Sequence, residues 1–380
     1  MPSADPQSSG YSHTDGQYIN GHSSAKSSTS KTPPTSSVPQ RFLSRPSELG
    51  ITLVGFSGGQ CRPGTESGPA VLTEAGLLTQ LSEELGYTLH GDEQVRNFDE
   101  YQPTVTGRDA TVSNSTPKFD DPDVRGMKNP RSVSAVTEQI SELVYQQARQ
   151  GRLALTLGGD HSIAIGTVSG VARAVRERCA ADGTLPESTT PEIAVIWVDA
   201  HADINTPETS DSGNIHGMPV SFLTGLATSS EKGVFDWLRS EHILNLNKLV
   251  YIGLRDVDAG EKKILRDNKI KAFSMHDIDR YGIGKVMDMA LEYIGSETPI
   301  HLSFDVDALD PMWAPSTGTP VRGGLTLREG DFICEAVAES GQCVGVDLVE
   351  VNPRLVEGGV SDTVRAGVSL VRCALGDTLL

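Results

Sequence analysis

Ile193-Ala194-Val195-Ile196-Trp197-Val198 runs directly into Asp199-Ala200-His201-Ala202-Asp203. An apolar run of that length, rich in β-branched residues, predicts a buried strand, and the alternating acids and histidine predict a functional loop at its end. Two further runs end in the same way. Leu153–Leu157 leads into Gly158-Gly159-Asp160-His161-Ser162, and His301–Phe304 leads into Asp305-Val306-Asp307. In open parallel sheets, functional residues collect at the carboxyl ends of strands, so the three polar clusters are expected along one edge.

Working outward, Ile51–Phe56, Leu249–Gly253 and Val344–Leu348 are further strand-like runs. Between them, Val133–Gln150, Ile163–Arg178, Gly284–Tyr293 and Leu327–Ser340 carry apolar spacings compatible with amphipathic helices. Strands alternating with helices predict right-handed βαβ units, hence an α/β fold with a mainly parallel central sheet covered on both faces. Residues 1–45 are rich in Ser, Thr, Gly and Pro and nearly empty of large apolar side chains, which predicts a disordered tail. Residues 46–380 are expected to form a single catalytic domain. The polar stretch 97–130 reads as a long surface loop or insertion within it.

The chain has 380 residues, 37% of them hydrophobic and 22% charged, as suits a globular protein with a sizeable core. Its net charge of -18 disfavours a nucleic-acid partner, which needs clustered Lys and Arg, and is compatible with a small cationic substrate. Cys61, Cys179, Cys334, Cys343 and Cys373 are widely spaced and form no CxxC pair, so neither a disulfide framework nor a zinc knuckle is expected. No run approaches the length of a membrane span, and the N-terminus has no apolar signal core. A cytoplasmic location is the expectation, which makes the sequon at Asn114 irrelevant.

In an extended chain residues i, i+2 and i+4 point to one side. That spacing predicts that Asp199, His201 and Asp203 converge, as do Asp305 and Asp307. A lone Asp at a strand-to-helix junction is ordinarily a cap, and a lone His161 is ordinarily structural. Four carboxylates crowded together repel, however, and bound cations resolve the repulsion. Hard oxygens with two imidazoles suit Mn²⁺, with Zn²⁺, Fe²⁺, Co²⁺ or Ni²⁺ as competitors. Six ligands are too many for one tetrahedral ion, so two ions are expected.

GGDHS at Gly158–Ser162, DAHAD at Asp199–Asp203 and SFDVDALDP at Ser303–Pro311 resemble the signatures of the ureohydrolase family, and within it most closely those of the arginase branch. The likeness extends from Ile51 to the C-terminus, departing at Ala202, where Thr is common. It implies a three-layer α/β/α fold and a di-manganese centre. It further implies hydrolysis of L-arginine to L-ornithine and urea by a hydroxide bridging the metals, and a place in arginine metabolism and the urea cycle. By this resemblance His161, Asp199, Asp203 and Asp305 hold one manganese and His201 and Asp307 the other, with Asp199 and Asp305 bridging. The catalytic roles fall to Asp203, to Glu350, which pairs with the guanidinium, and to His216, whose pKa range suits proton transfer to the leaving amine.

The loop Asp203–Asn214 resembles the segment that reads the amino-acid end of arginine. Asn205 and Ser212 are expected on the α-carboxylate with Ser210 and Asn214 nearby, Asp258 on the α-ammonium supported by Glu261, and Thr319 in the pocket. Arg328 and Glu329 match positions of subunit contact, so a homotrimer is implied. The alternatives are an agmatinase or other guanidino-compound hydrolase, and a catalytically silent regulatory homologue that keeps the metal site for stability.

Overall fold

Every apolar run singled out above is a strand. In chain order the elements are β1 (Glu48–Gly55), α1 (Gly68–Glu74), α2 (Leu77–Glu83), β2 (Thr88–Gly91), β3 (Arg96–Asn97), α3 (Pro130–Ala148), β4 (Leu153–Leu157) and α4 (Ala164–Ala181). There follow β5 (Ala194–Val198), α5 (Pro219–Leu223), β6 (Leu249–Leu254), α6 (Ala259–Asp267), β7 (Lys271–Ser274), α7 (Met275–Tyr281), α8 (Ile283–Ile294), β8 (Ile300–Asp305), α9 (Leu327–Glu339), β9 (Cys343–Val349) and α10 (Val360–Ala374). The computed structural model describes residues 39–60, 62–101, 121–181, 192–356 and 360–378. The expectations for residues 1–38, Cys61, Asn114 and the bulk of the 97–130 stretch lie outside them.

The strands form one sheet in the order β2-β1-β4-β9-β8-β5-β6-β7, with β3 pairing with the end of β1. All these pairings are parallel. The five strands β4, β9, β8, β5 and β6 are buried at every position. This explains their legibility, since a strand covered on both faces is apolar almost throughout. The edge strands β2 and β7 are partly exposed and carry mixed side chains, so they left no such run.

Successive side chains of β8 serve opposite faces. A Cβ at Gly345 would press on His301 and on Val171 of α4, whereas one at Gly330 of α9 would press on Phe304 and on Leu370 of α10. The α3–α4 pair therefore covers one face and the α9–α10 pair the other, giving three layers. Gly166 and Gly170 let α4 lie against α3, where added Cβ atoms would come within 2.5 Å of the carbonyls of Thr137 and Ser141.

Local capping agrees with the fold. Thr326 and Glu329 form a capping box at the start of α9, and Asp258 and Glu261 form another at α6. Asp121, within the stretch read as a surface loop, accepts hydrogen bonds from the N–H groups of Arg131 and Ser132 at the start of α3. Packing begins just ahead of residue 46, for Leu43 is buried and the N–H of Arg41 donates to the carbonyl of Gly341.

Candidate metal centre and active site

The polar clusters all follow the carboxyl ends of β4, β8 and β5, three strands of the buried centre of the sheet. β4 turns at Gly158-Gly159, where a Cβ at Gly159 would meet the carbonyl of Phe56 and block the approach of β1. Asp160 then accepts from the N–H of Ser162 and His161 opens a short turn into α4. The His161 ring stacks on Trp197 of β5, with centroids 4.0 Å apart and planes 11° off parallel. Its Nε2 lies 2.9 Å from Ser303 Oγ on β8. Ring and far nitrogen are thereby held, and Nδ1 is aimed at the carboxylates.

Nδ1 of His161 lies 3.1 Å from Asp199 Oδ2, 3.2 Å from Asp203 Oδ2 and 3.2 Å from Asp305 Oδ2. It is buried, yet makes no aligned hydrogen bond to any of them. His161, Asp199 and Asp203 thus gather their ligand atoms about one point, with Asp305 against His161, instead of pairing with each other, which is the arrangement a cation requires. A second group stands beside the first, with His201 Nδ1 at 3.3 Å from Asp199 Oδ1 and 3.2 Å from Asp307 Oδ2. Asp199 serves both groups, one oxygen to each. Asp305 stands against His161 of the first group, and its Oδ1 accepts from the N–H of Asp307 at 2.8 Å.

All six predicted ligands therefore meet, but not by the extended-chain route. β5 ends at Val198, and the following residues bend: the Asp199 side chain accepts from the N–H of His201, and Asp203 has a left-handed φ of 51°. Asp307 sits in a short helical turn beyond the end of β8. Turn geometry, not the pleat, brings these side chains together.

The electrostatics match a cation site. Burial pushes the Asp305 carboxyl well above the ordinary range, and the charges of Asp307 and Asp199 add to this. Burial and the charge of Asp199 push Asp203 up to about 6, and burial also raises Asp307. Burial opposes ionisation of Asp199 as well, but the imidazoles of His161 and His201 close beside it hold its carboxyl far below the usual range. Without positive charge, the site does not keep all four carboxylates ionised at once.

Beyond β9, Glu350 has a left-handed φ of 63° and is 1% exposed. Its Oε1 accepts from the N–H of His161 at 2.9 Å and lies 3.2 Å from Nδ1 of His216. Burial opposes the charge on His216, but the Glu350 carboxylate with the charges of Asp203 and Asp160 overcomes it and raises the pKa to about 9. Asp160, buried behind them, is pushed up to about 6 by burial and by Glu350.

The residues assigned to the amino-acid end lie on one loop and the start of α6. Asn205 donates to Asp258 at 3.0 Å and accepts from Thr209 at 2.8 Å. Ser210 and Ser212 accept from the N–H groups of Gly213 and Asn214. Glu261 is buried beneath this loop, taking the N–H groups of Ile204 and Asp258, so it braces the loop. Thr319 is engaged with the second donor group, its hydroxyl donating to Asp307 Oδ2 at 2.9 Å.

Several residues of the site were not singled out from sequence. Trp197 Nε1 donates to Asp199 at 2.9 Å, Gly59 N–H donates to Asp160, and Gln60 donates to Glu350. Arg255 reaches the carbonyls of Asp307, Ala308 and Leu309 and holds the turn after β8. Arg255 stands in the motif that contains Asp258, and that proximity was the one available signal. The others are apolar, small or amide residues with no pattern of their own.

Residues 47–376 match the model of the arginase family. An arginase from Neurospora crassa is 61% identical over 371 residues, covering 96% of this chain and 97% of that one. Among solved structures, the cold-adapted arginase of the yeast Glaciozyma antarctica superposes with a TM-score of 0.66 at 44% identity, over 90% of this chain and 98% of that chain. The arginase of Entamoeba histolytica in complex with L-ornithine gives a TM-score of 0.70 at 26% identity, over 87% and 98%. With two groups of carboxylates and imidazoles sharing Asp199 at the carboxyl ends of central parallel strands, and with these likenesses along nearly its whole length, the chain belongs to the arginase family.

Proposed function

We propose that this protein is an arginase that hydrolyses L-arginine to L-ornithine and urea with two manganese ions. The observation that carries the reading is the sharing of Asp199 between two donor groups, with the Glu350–His216 pair beside them. His161, Asp199, Asp203 and Asp305 would hold one ion, and His201, Asp307 and Asp199 the other. Four carboxylates and two imidazoles are a donor set that fits Mn²⁺. Two such ions supply the Lewis acidity that makes water a nucleophile at neutral pH.

The chain's own residues do the rest. Glu350 receives the guanidinium through charge-assisted hydrogen bonds, orienting its central carbon towards the metal side of the cleft. His216, with its pKa raised to about 9, holds a proton at neutral pH and delivers it to the departing amine. Asp203 belongs both to the first ligand group and to the charges that keep His216 protonated. Asn205 and Ser212, with Ser210 and Asn214 alongside, receive the α-carboxylate, and Asp258 receives the α-ammonium. Glu261 and Thr319 brace this end and Asp307 respectively. The L-ornithine bound to the Entamoeba relative supports the choice of substrate.

By the same reading the enzyme is a cytoplasmic homotrimer of arginine breakdown, with a Ser/Thr/Pro-rich tail over residues 1–45 ahead of the catalytic domain. Arg328 pairs with Glu335 on the exposed face of α9 and Glu329 caps that helix, which leaves the guanidinium of Arg328 at the surface for a subunit contact. The test of function is urea release from L-arginine and from agmatine with manganese present. L-Arginine is expected to be turned over faster; faster turnover of agmatine would overturn the assignment, and no urea from either would mark a silent homologue.

A further inference from the structure

Glu350 is placed by more than its own strand. Its Oε2 accepts from Gln60 Nε2 at 3.2 Å, and Gln60 is itself 5% exposed. Gln60 ends the turn that follows β1, and the same turn ties other parts of the site together. The N–H of Gly59 donates to Asp160 at 2.8 Å, and its carbonyl accepts from the N–H of His216 at 2.9 Å. A carboxylate only accepts, so the Gln60 amide must turn its NH₂ towards Glu350 and its carbonyl away.

That carbonyl faces Gly318. A Cβ on residue 318 would lie 3.3 Å from Gln60 Oε1 and 3.5 Å from Glu350 Oε2. Because residue 318 has no side chain, nothing on it crowds two acceptors, one neutral and one anionic, with Gln60 Nε2 a little farther away at 3.7 Å from the same point. The Arg62 side chain donates to the carbonyl of Gly318 and keeps this segment in place. A planar cation with several in-plane N–H donors fits such a pair of acceptors, whereas a primary ammonium has no fork to match them.

We propose that Gln60 positions Glu350 and offers its Oε1 as a second acceptor for the guanidinium, while Gly318 leaves the two acceptors uncrowded. This rests on the arginine reading above. Gln60→Leu removes both the donor and the acceptor; Gly318→Ala leaves them in place and crowds them. Each variant is compared with wild type for KM towards L-arginine and for competitive inhibition by guanidinium chloride, which probes the guanidinium end alone. Inhibition by L-norvaline, whose apolar side chain leaves it only the amino-acid end to bind with, is the control, along with metal content.

Both variants are expected to raise KM and the guanidinium inhibition constant about tenfold, the usual effect of losing a hydrogen bond to a charged group. L-Norvaline inhibition and metal content are expected to change by less than about twofold, the size of a surface effect. Equal weakening of both inhibitors, or no weakening of either, would overturn the inference while leaving the arginine reading intact. No urea from wild-type protein would overturn the two together.

Discussion

Nδ1 of His216 lies 3.2 Å from Oε1 of Glu350, so the residue proposed to receive the guanidinium and the residue proposed to protonate the leaving amine are in direct contact. The carboxylate supports the proton on the imidazole against the cost of burial, which is why the pKa stands near 9. A substrate cation drawn to Glu350 competes for the same charge, so guanidinium binding is expected to loosen the proton on His216 as it arrives.

The first prediction concerns that contact. In metal-free protein, an NMR titration is expected to place the His216 midpoint near 9, and Glu350→Gln is expected to lower it by more than about one unit, or ~1.4 kcal/mol. The stability supplied by this raised pKa is fully present below the ordinary imidazole value of about 6.5 and is lost as pH rises through about 9. An unchanged midpoint in Glu350→Gln would remove Glu350 as the cause.

Asp199 presents one oxygen to each donor group, so no other ligand substitution is expected to cost as much. Asp199→Asn keeps the shape and removes the charge. It is expected to lose bound manganese and to lower urea release by at least about 100-fold. Elemental analysis beside the urea assay checks this, and full metal with full activity in the variant would sink the cage.

Metal removal has a predicted pH signature. Asp160, Asp203, Asp305 and Asp307 all have raised pKa values without cations, as does Glu261, at about 7. A raised carboxyl contributes stability below its unfolded value, near 4, and loses it as pH rises through the folded value. The raised histidines His161 and His201 act in the same direction, and the lowered Asp199 acts against them. Chelation is therefore expected to lower the melting temperature several degrees more at pH 8 than at pH 5.5. Scanning calorimetry with and without chelator reads the difference, and equal losses at the two pH values would contradict it.

At the other end of the substrate, Asp258 meets Asn205 and also caps α6. Asp258→Ala is expected to raise KM for L-arginine about tenfold or more, because a charge-assisted contact is lost, and to destabilise the fold by ~1 kcal/mol through the cap. n-Butylguanidine lacks both the α-carboxylate and the α-ammonium, so its kinetics are expected to stay nearly constant. A parallel loss with both compounds would show that Asp258 acts through loop structure alone.

Ser303→Ala removes the partner of His161 Nε2 while leaving every ligand in place. A support of this kind commonly carries 10-fold to 100-fold in metal affinity, so a loss of about that size is expected in a competition titration with chelator.

The sequence by itself determined the central strands and singled out the six acids and histidines that the structure gathers at their ends. A fully buried parallel strand must be apolar throughout, and Leu153–Leu157 coincides with β4 for that reason. Acids and histidines clustered directly after such strands have few purposes other than to meet a cation. What only the tertiary structure decided is how they meet and what supports them. Asp203 and Glu350 adopt left-handed backbone conformations that no alternation rule predicts. Trp197, Ser303 and Gln60 become part of the site because β5, β8 and the turn after β1 come together there, in places separated by long stretches of chain. Ligand chemistry is local to a few residues and is written in their types. The orientation of each ligand depends on hydrogen bonds between elements far apart in sequence, and those exist only once the sheet has assembled.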